Sequence, residues 1–405
     1  MKLNSLFIAS AVALASASLV KADVTINITG ATAFRSAAIA AIKSKLSAGY
    51  TYAYDGSTES KQTYGIYRGT FTGVTGNTTI RTFWSGSVEG LRDLSQNNDV
   101  SFLPTSTTMT TGGSSNATTS SLDSAKAQLA FSDVYSISTP YSSGVTGEKV
   151  GIIAFRFVAN TSANGTLSNI TAQQFRGLAA NGNVPASVLT GNSSHTTDVY
   201  LTGRNDGSGT RVTVLAETGF GYSNLVQQYK ATMGAGNTTV SELQLWPTGD
   251  SLNVSNIYNA DTAGNGGYSS GGTMASIFGG NSSSVIIKGS TGSTIATKPV
   301  FVVGYLGTSD SVTAVTTNGG IALSYNGVSL QVNSGGITNP EAITYGAYTL
   351  WANEQLYWRT GTNTGDLLTV KNGIKNALPS LIGSAGVSLS SMQVARTSDG
   401  GLVGY

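Results

Sequence analysis

Apolar strands alternate with amphipathic helices along this chain, and that alternation constrains the fold more than any other feature. Residues 24–28 alternate as a strand and are followed, after a turn of small residues, by apolar positions at helical spacing over residues 34–46. A strand at 80–84 precedes another helix in the same way, and residues 198–202 precede a helix at 210–217. Strands followed by helices in this order predict α/β lobes with mixed sheets.

The first residues predict export. Lys2 precedes an apolar run over residues 6–20, and small side chains before Asp23 suit a signal-peptidase site, so we expect a signal peptide at 1–22. A cut after Ala17 is the alternative. The run is too short to span a bilayer, and every later apolar stretch is interrupted by Gly, Ser, Thr or Asn. We therefore expect a periplasmic or secreted protein with no transmembrane segment in the mature chain.

The composition excludes several classes of site. The chain has no cysteine and a single histidine, His195, so thiolate zinc sites are impossible and most imidazole sites are too; we expect no metal and no cofactor. Removal of residues 1–22 takes Lys2 and Lys21 from the 22 basic residues, which leaves 20 against 20 acidic ones. This balance predicts neither a nucleic acid partner nor an anionic membrane partner. An anion would have to be bound by a local group of residues.

The strongest local signal is residues 204–210 (RNDGSGT), directly after a predicted strand and directly before a predicted helix. Two glycines and the hydroxyls of Ser208 and Thr210 favour a helix N-terminus with unpaired N–H groups, which attracts anions. Arg204 could add a planar, two-pronged contact to an oxyanion. The alternative interpretation is an ordinary capped turn with a surface arginine.

Two other turns have the same form. Residues 29–34 connect the first strand to the first helix, and residues 85–87 connect a strand to the helix that carries Glu89. Each turn alone is typical of a helix cap. In open α/β lobes, however, ligands bind outside the carboxyl ends of the strands, where such turns converge. We therefore expect the three turns to form one site.

Asp133 adds a carboxyl group to the expected site, because it lies just after the end of the predicted strand 128–131. A carboxylate beside an anion site repels a fully ionised ligand and accepts a hydrogen bond from one that still carries a proton. This pattern favours phosphate over sulfate. The alternative is a loop carboxylate that caps Tyr135 and Ser136.

With these motifs, the sequence resembles the phosphate-binding proteins of phosphate ABC importers, which have the type II periplasmic binding protein fold. Residues 28–34 resemble the family's opening "TGAGATF", one residue shorter, and residues 86–91 fall on its "GSSGGI". Residues 130–133 fall on "GASDA", residues 175–178 resemble "IYLGKI", and residues 204–210 match "RADGSGT" at all but one position.

The resemblance implies the residues that contact the anion. They are Phe34 through its amide, Ser87, Asp133, Arg204, Ser208, Gly209 and Thr210. The chain departs from the family at Ala33, where the family has a ligating threonine, and Thr32 is the substitute that we expect. Val88 also replaces a small residue in the second turn.

The resemblance further implies an architecture and a function. Two α/β lobes with mixed sheets would be joined by a hinge of two crossover strands, with residues 23–155 and 335–405 in lobe 1 and residues 156–334 in lobe 2. Inorganic phosphate or a similar tetrahedral oxyanion would bind in the cleft between the lobes of a monomer, for delivery to an ABC permease.

Two alternatives from other functional classes stay open. The Gly-, Ser-, Thr- and Asn-rich insertions and Ala33 fit a surface or matrix structural protein that keeps the fold without the ligand. A secreted phosphatase-like enzyme is the other, but the sequence has no nucleophile–base or metal set, and His195 lies in a polar loop. We therefore expect no enzymatic activity.

The aromatic residues near the C-terminal end also allow two interpretations. Tyr345, Tyr348, Trp351, Tyr357 and Trp358 could form a sugar-binding platform. At their helix-like spacing, core packing is the stronger expectation.

Overall fold

The computed structural model describes residues 23–250, 257–258 and 261–405, so the expected signal peptide lies outside the described residues. The first eleven strands are β1 (Val24–Gly30), β2 (Thr51–Tyr54), β3 (Tyr64–Gly69), β4 (Thr78–Phe83), β5 (Asp99–Phe102), β6 (Asp123–Lys126), β7 (Leu129–Ser132), β8 (Val145–Ala159), β9 (Asn169–Ile170), β10 (Asn183–Pro185) and β11 (Asp198–Leu201). The later strands are β12 (Tyr229–Met233), β13 (Val240–Leu245), β14 (Val285–Lys288), β15 (Thr294–Lys298), β16 (Val300–Gly307), β17 (Ile321–Ala322), β18 (Ser324–Tyr325), β19 (Val332–Asn333), β20 (Gly336–Ile337), β21 (Trp351–Arg359) and β22 (Gly386–Val387). The α-helices are α1 (Arg35–Lys45), α2 (Ser87–Gln96), α3 (Ala172–Asn181), α4 (Ala186–Thr190), α5 (Gly209–Glu217), α6 (Gly271–Ala275), α7 (Thr308–Val312), α8 (Glu341–Thr344) and α9 (Gly365–Ala377).

The main sheet is mixed and organises the whole molecule. Its strand order is β10-β11-β16-β8-β21-β7-β1-β4-β3-β2, and β17 and β22 pair with β8 from outside this path. β1 is parallel to both β4 and β7, and β11 is parallel to β16, while β8 is antiparallel to β21 and β16. The predicted fold class, α/β with two lobes and mixed sheets, is confirmed.

The long strand β8 connects the two halves of the main sheet. Its residues 145–154 pair with β21, and its residues 155–159 pair with β16. Residues 150–159 are buried throughout. The boundaries of the lobes, at 155 and 335, stay a prediction.

One continuous apolar core lies against the main sheet. It extends from Ile42 of α1 through Phe155 of β8 to Phe175 of α3. Each large side chain buried in such a core stabilises the fold by roughly 1.5–3 kcal/mol. Since the chain has no disulfide, this burial replaces the covalent cross-links that many exported proteins use.

A second sheet lies outside the five motifs that carry the family resemblance. Strands β12, β13, β14 and β15 pair in that order, and their buried face packs against Trp246 and Phe278. The low-complexity segment 104–121 is a loop, and it covers the edge strand β2 through hydrogen bonds between Tyr52 and Thr110. Among the described residues, no helix combines the length and the apolar composition that crossing a membrane requires.

Of the C-terminal aromatic residues, Trp351, Tyr357 and Trp358 lie in the strand β21 and not in a helix, so the helix-like spacing was misleading. β21 lies between β8 and β7, and burial on both faces removes the alternation that marks a strand. Tyr348, Trp351 and Tyr357 are buried, which confirms the core interpretation for them. Tyr345 is 62% exposed and lies outside the core.

Candidate functional site

The first turn is built on the end of β7. Gly30 has φ +114°, and a Cβ atom at this position would overlap the carbonyl oxygen of Phe131, so only glycine fits. Ala31 donates its N–H to the same oxygen at 2.8 Å. Phe34 precedes α1 without a side-chain cap, and its buried ring contacts Phe131 at a centroid distance of 5.8 Å. The N-terminus of α1 is thus fixed at the carboxyl end of β7.

The second turn contacts the first. Gly86 donates its N–H to the carbonyl oxygen of Gly30 at 2.9 Å, and the hydroxyls of Thr29 and Ser85 lie 2.9 Å apart. Gly86 has φ +131°, and α2 begins at Ser87 without a side-chain cap. The N-termini of α1 and α2 therefore lie side by side because β1 and β4 are neighbouring parallel strands.

The third turn closes the cluster from the other half of the sheet. Val88 donates its N–H to the carbonyl oxygen of Gly207 at 3.1 Å. A Cβ atom at Gly209 would lie 2.6 Å from the hydroxyl oxygen of Ser87. Ser208 caps α5, accepting from the N–H of Arg211 at 3.5 Å. Turns more than a hundred residues apart in the chain therefore meet at one place, as the sequence predicted.

The helix N-termini in this cluster carry unused donors. The first N–H groups of an α-helix have no partner within the helix. In the part of the chain that the structure describes, the N–H groups of Phe34, Ser87, Gly209 and Thr210 donate no hydrogen bond. Such groups, reinforced by the helix dipoles, favour a negatively charged partner.

Asp133 lies at the N-terminus of α5. The side chain is 1% exposed, and a Cβ atom at Gly209 would overlap its Oδ1 atom. Within the described residues Oδ1 accepts no hydrogen bond. Burial raises the pKa of Asp133 from its ordinary 3.8 to about 6, against the opposing effects of the Ser87 hydroxyl and the Arg204 charge. The carboxylate is therefore a buried acceptor with unused capacity.

The Arg204 side chain is 1% exposed and binds one group of the first turn and two of a neighbouring loop. Its Nε donates to the carbonyl oxygen of Tyr268 at 3.0 Å, and Nη2 donates to Ser269 O at 2.7 Å and to Thr32 Oγ1 at 3.1 Å. For Nη1, no hydrogen bond occurs among the described residues. The donors expected to contact an oxyanion thus bond partly to protein carbonyls, and those of Nη1 stay unused among the described residues.

A cavity of about 230 Å³ opens beside the three turns. Thr32 lines it from the first turn, Ser85 from the second and Asn205 from the third. Thr32 is the only one of the eight predicted site residues that reaches this wall. The other seven are buried and do not line it: Phe34, Ser87, Asp133, Arg204, Ser208, Gly209 and Thr210.

Three charged residues near the turns were not predicted from the sequence. Arg35 lines the cavity and donates to the carbonyl oxygens of Ser60 and Gln62, both at 2.8 Å. Asp310 belongs to α7, and its side chain lies against Gly271 at the start of α6; its charge opposes the burial that lowers the pKa of Arg35 and of Arg204. These two had no local motif.

Glu354 is the third. It is fully buried, and neither carboxylate oxygen accepts a hydrogen bond among the described residues. Gln355 pairs with Ser132 in the antiparallel ladder, so Glu354 stands opposite Asp133 just beyond the last pair. Burial, and then the charge of Asp133, raise the pKa of Glu354 well above its ordinary value. The one feature of the sequence that could have indicated Glu354 is that it is a charged residue inside an apolar strand.

The buried carboxyl groups predict how stability depends on pH. The pKa of Asp399 rises through burial from 3.8 to about 7, and Asp133 and Glu354 shift the same way. A raised folded-state pKa stabilises the fold below the unfolded value, and that stability is lost as pH rises through the folded value. We expect the ligand-free protein to melt several degrees higher at pH 5 than at pH 8, as measured by calorimetry. A melting temperature that rises over this interval would contradict the assignment.

Comparisons with known proteins concern the fold. No protein-family model matches the chain, and no curated protein matches it. A Clostridium perfringens protein, named as the substrate-binding protein of a phosphate ABC transporter and solved with bound phosphate, is 12% identical over 90% of this chain and 100% of its own, with a TM-score of 0.48. An ABC-type phosphate transport receptor from Vibrio cholerae is 13% identical over 87% and 93%, with a TM-score of 0.46. The resemblance inferred from the motifs is confirmed to this extent.

The comparisons do not select a function. OxyR of Corynebacterium glutamicum is also similar, at 8% identity over 90% of this chain and 66% of its own, with a TM-score of 0.37. One fold supports unrelated functions, and alignments this loose carry no information about the ligand. The case for a ligand therefore depends on this chain's own residues.

Proposed function

We propose that this protein binds phosphate or a similar tetrahedral oxyanion where its three strand-to-helix turns meet. The observation that carries the proposal is the contact between turns from both halves of the sheet, in which Val88 donates to Gly207 and Ser87 lies against Gly209. Donors from distant parts of the chain are thereby brought close to one another.

The backbone N–H groups and Arg204 attract the oxyanion. The N–H groups at the starts of α1, α2 and α5 provide fixed donors without a side-chain entropy cost, and the Ser87 and Thr210 hydroxyls add donors that can rotate. The Nη1 atom of Arg204 adds a charge-assisted hydrogen bond, which is stronger than a neutral one. Because Arg204 is already held by Tyr268 and Ser269, little freedom is lost when it contacts the ligand.

Asp133 determines which oxyanions bind. An anion that approaches α5 from the cavity meets the Oδ1 atom, which lies against Gly209 and has unused acceptor capacity. A ligand that carries a proton donates it there in a hydrogen bond, whereas a fully ionised anion is repelled. Phosphate retains such a proton near neutral pH, and sulfate does not.

Titration calorimetry with phosphate, arsenate and sulfate at fixed ionic strength tests the proposal. We expect heat with phosphate and arsenate and a much weaker signal with sulfate. The absence of heat with all three anions would reject oxyanion binding and favour the surface or matrix role. Turnover of an aryl phosphate that a chelator abolishes would favour the phosphatase-like alternative.

Replacement of Asp133 by Asn tests the selection. The variant keeps the size of the side chain but loses the repelling charge, so we expect the sulfate Kd to come within about tenfold of the phosphate Kd. Calorimetry gives both constants. Asp93→Asn is the matched control, because Asp93 is a buried carboxyl near the other end of α2 and selectivity should not change. Strict rejection of sulfate by Asp133→Asn would remove Asp133 from this role.

The cellular setting belongs to the same proposal. Delivery to an ABC permease, a monomeric state and a periplasmic or secreted location fit the motif resemblance and the expected signal peptide. Light scattering on the purified mature chain would test the oligomeric state, and a dimer would contradict this part of the proposal.

A further inference from the structure

The residues expected to contact the anion are buried, so access to them requires movement. Arg204 and Asp133 are 1% exposed, and Ser87 is 2% exposed. The second and third turns also bond directly to each other, from the Val88 N–H to the carbonyl oxygen of Gly207 at 3.1 Å. An anion therefore reaches its donors only when these turns separate. The contacts that hold the turns together control its entry and its exit.

The third turn begins α5, and the other end of this helix is tied to the opposite half of the main sheet. α5 follows β11, which lies on one side of β8, while β21 lies on the other side. Arg396 connects the two. Its Nη1 atom donates to Oε2 of Glu217, the last residue of α5, at 2.9 Å, and to the carbonyl oxygen of Trp351, the first residue of β21, at 3.0 Å. Its Nη2 atom donates to the carbonyl oxygen of Thr349 at 3.0 Å.

This connection is enclosed by protein. The Arg396 side chain is 2% exposed and that of Glu217 is 9% exposed, and the guanidinium lies 4.2 Å from the centre of the Trp351 ring. Removal of one partner from a buried ion pair leaves the other charge unpaired, which is costly even where the pair itself adds little stability. The separation of α5 from β21 is therefore opposed by this pair.

The residues that follow Arg396 contact both halves as well. Gly400 has φ +64°, and a Cβ atom there would lie 2.4 Å from the carbonyl oxygen of Ala216 in α5, so this close approach requires glycine. On the other side, Asp399 Oδ2 accepts the N–H of Tyr135 at 2.9 Å, in the turn that follows β7. Residues 396–400 thus lie between the end of α5 and the segment that carries Asp133.

We propose that residues 396–400 are a latch that controls access to the anion site by holding α5 against the turns of the other half. This inference rests on the proposed function, because the site is the oxyanion site described above. Glu217 lies eight residues after Gly209, about 12 Å along the axis of α5. In the part of the chain that the structure describes, the latch bonds to none of the expected anion donors, so it acts on the anion through the position of the helix.

A latch of this kind changes the rates of binding and leaves the affinity unchanged. Because the anion touches none of its contacts, loss of the latch destabilises the closed form equally with and without phosphate, and the Kd stays the same. The turns separate more often, so association and dissociation accelerate by the same factor. Damage to the site itself would accelerate dissociation alone and would weaken binding.

Glu217→Gln tests the latch, because it removes the charge and keeps the size of the side chain. We expect both rate constants for phosphate to rise about threefold or more, with the Kd within about twofold of the wild type. Stopped-flow tryptophan fluorescence measures both rates, with Trp84 beside the second turn as the reporter. Glu148→Gln is the matched control: it breaks an ion pair with the buried Lys371 between β8 and α9, away from α5, and should change neither rate.

Gly400→Ala tests the latch at its second contact with α5. The new Cβ would overlap Ala216, so we expect the same acceleration of both rates. Gly361→Ala is the matched control, because Gly361 also has a positive φ, of +83°, but a Cβ atom there meets nothing within 4 Å. Faster dissociation with an equal loss of affinity in Glu217→Gln and Gly400→Ala would overturn the latch, because those substitutions would then damage the site.

Hydrogen exchange without added anion tests the latch independently of binding. We expect residues 85–91 and 205–212 to exchange faster in both latch variants than in the wild type and in both controls, with the rest of the protein unchanged. Unchanged exchange in these turns would reject the latch whether or not phosphate binds. If phosphate binds and neither rate changes, the latch fails while the proposed function stands. If no oxyanion binds but the turns exchange faster, the proposed function fails and the latch stands.

Discussion

Arg204→Ala is expected to weaken phosphate binding at least tenfold. The variant loses a charge-assisted hydrogen bond from Nη1, worth about 1.5–3 kcal/mol, and 1.4 kcal/mol corresponds to a factor of ten. It also releases Thr32, Tyr268 and Ser269, so both the first turn and the loop before α6 lose a fixed contact. Titration calorimetry at constant ionic strength measures the change in Kd.

Arg204→Ala could lower the affinity simply by destabilising the fold. The control is therefore a variant that loses a similar amount of stability at a residue outside the site. Arg81 is also a buried arginine, with Nε bonded to Asn27 at 2.8 Å and Nη1 to Asp123 at 3.0 Å, but it lies on β4 away from the turns. We expect Arg81→Ala to lower the melting temperature and to leave the phosphate Kd unchanged. Affinity retained by Arg204→Ala would exclude Arg204 from the site.

The turns could be predicted because their determinants are local. In residues 204–210, glycines at the turn and capping hydroxyls at the helix start specify the strand, the turn and the helix within a few residues. Their convergence followed from a general rule about the ends of strands, combined with the order of the motifs. The contact between Ser87 and Gly209 then required the strand order of the whole sheet.

Arg35 and Glu354 could not be predicted in the same way. Each is a single charged residue in an apolar segment, and its role depends on which residues pack around it. Glu354 matters because β21 lies beside β7 and places it opposite Asp133, a pairing between strands more than 200 residues apart. Arg35 matters because its neighbours Ser60 and Gln62 hold it at the wall of the cavity.

The sequence predicts one strand in this region, at 243–246, which overlaps β13, and the rest of the sheet of β12 to β15 was missed for a compositional reason. Its strands have four to six residues, and β13 buries only Val240 and Leu243. The glycine-, serine- and asparagine-rich segments around them contain few apolar residues that would mark a period. Without alternation or length, the short strands become visible only through their pairing and their contact with Trp246.

Gly209→Ala is expected to have the largest effect on binding, about a hundredfold or more. Gly209 has no special backbone angle, so alanine fits the start of α5 and the consequence is steric. The new Cβ would overlap Asp133 Oδ1 and lie 2.6 Å from Ser87 Oγ, so both side chains must move. Displacement of two groups that each contribute a hydrogen bond to a charged ligand costs about 3–6 kcal/mol.

The matched control is another helical glycine without neighbours. Gly177 lies inside α3, and a Cβ atom there would meet nothing within 4 Å. Gly177→Ala should therefore stabilise the protein by about 0.5–1 kcal/mol through helix propensity and leave the phosphate Kd unchanged. Gly209→Ala should instead lose affinity and, because its Cβ overpacks a buried site, about 1–3 kcal/mol of stability. If Gly209→Ala bound phosphate as tightly as Gly177→Ala, the anion could not contact Asp133 and Ser87 at the N-terminus of α5.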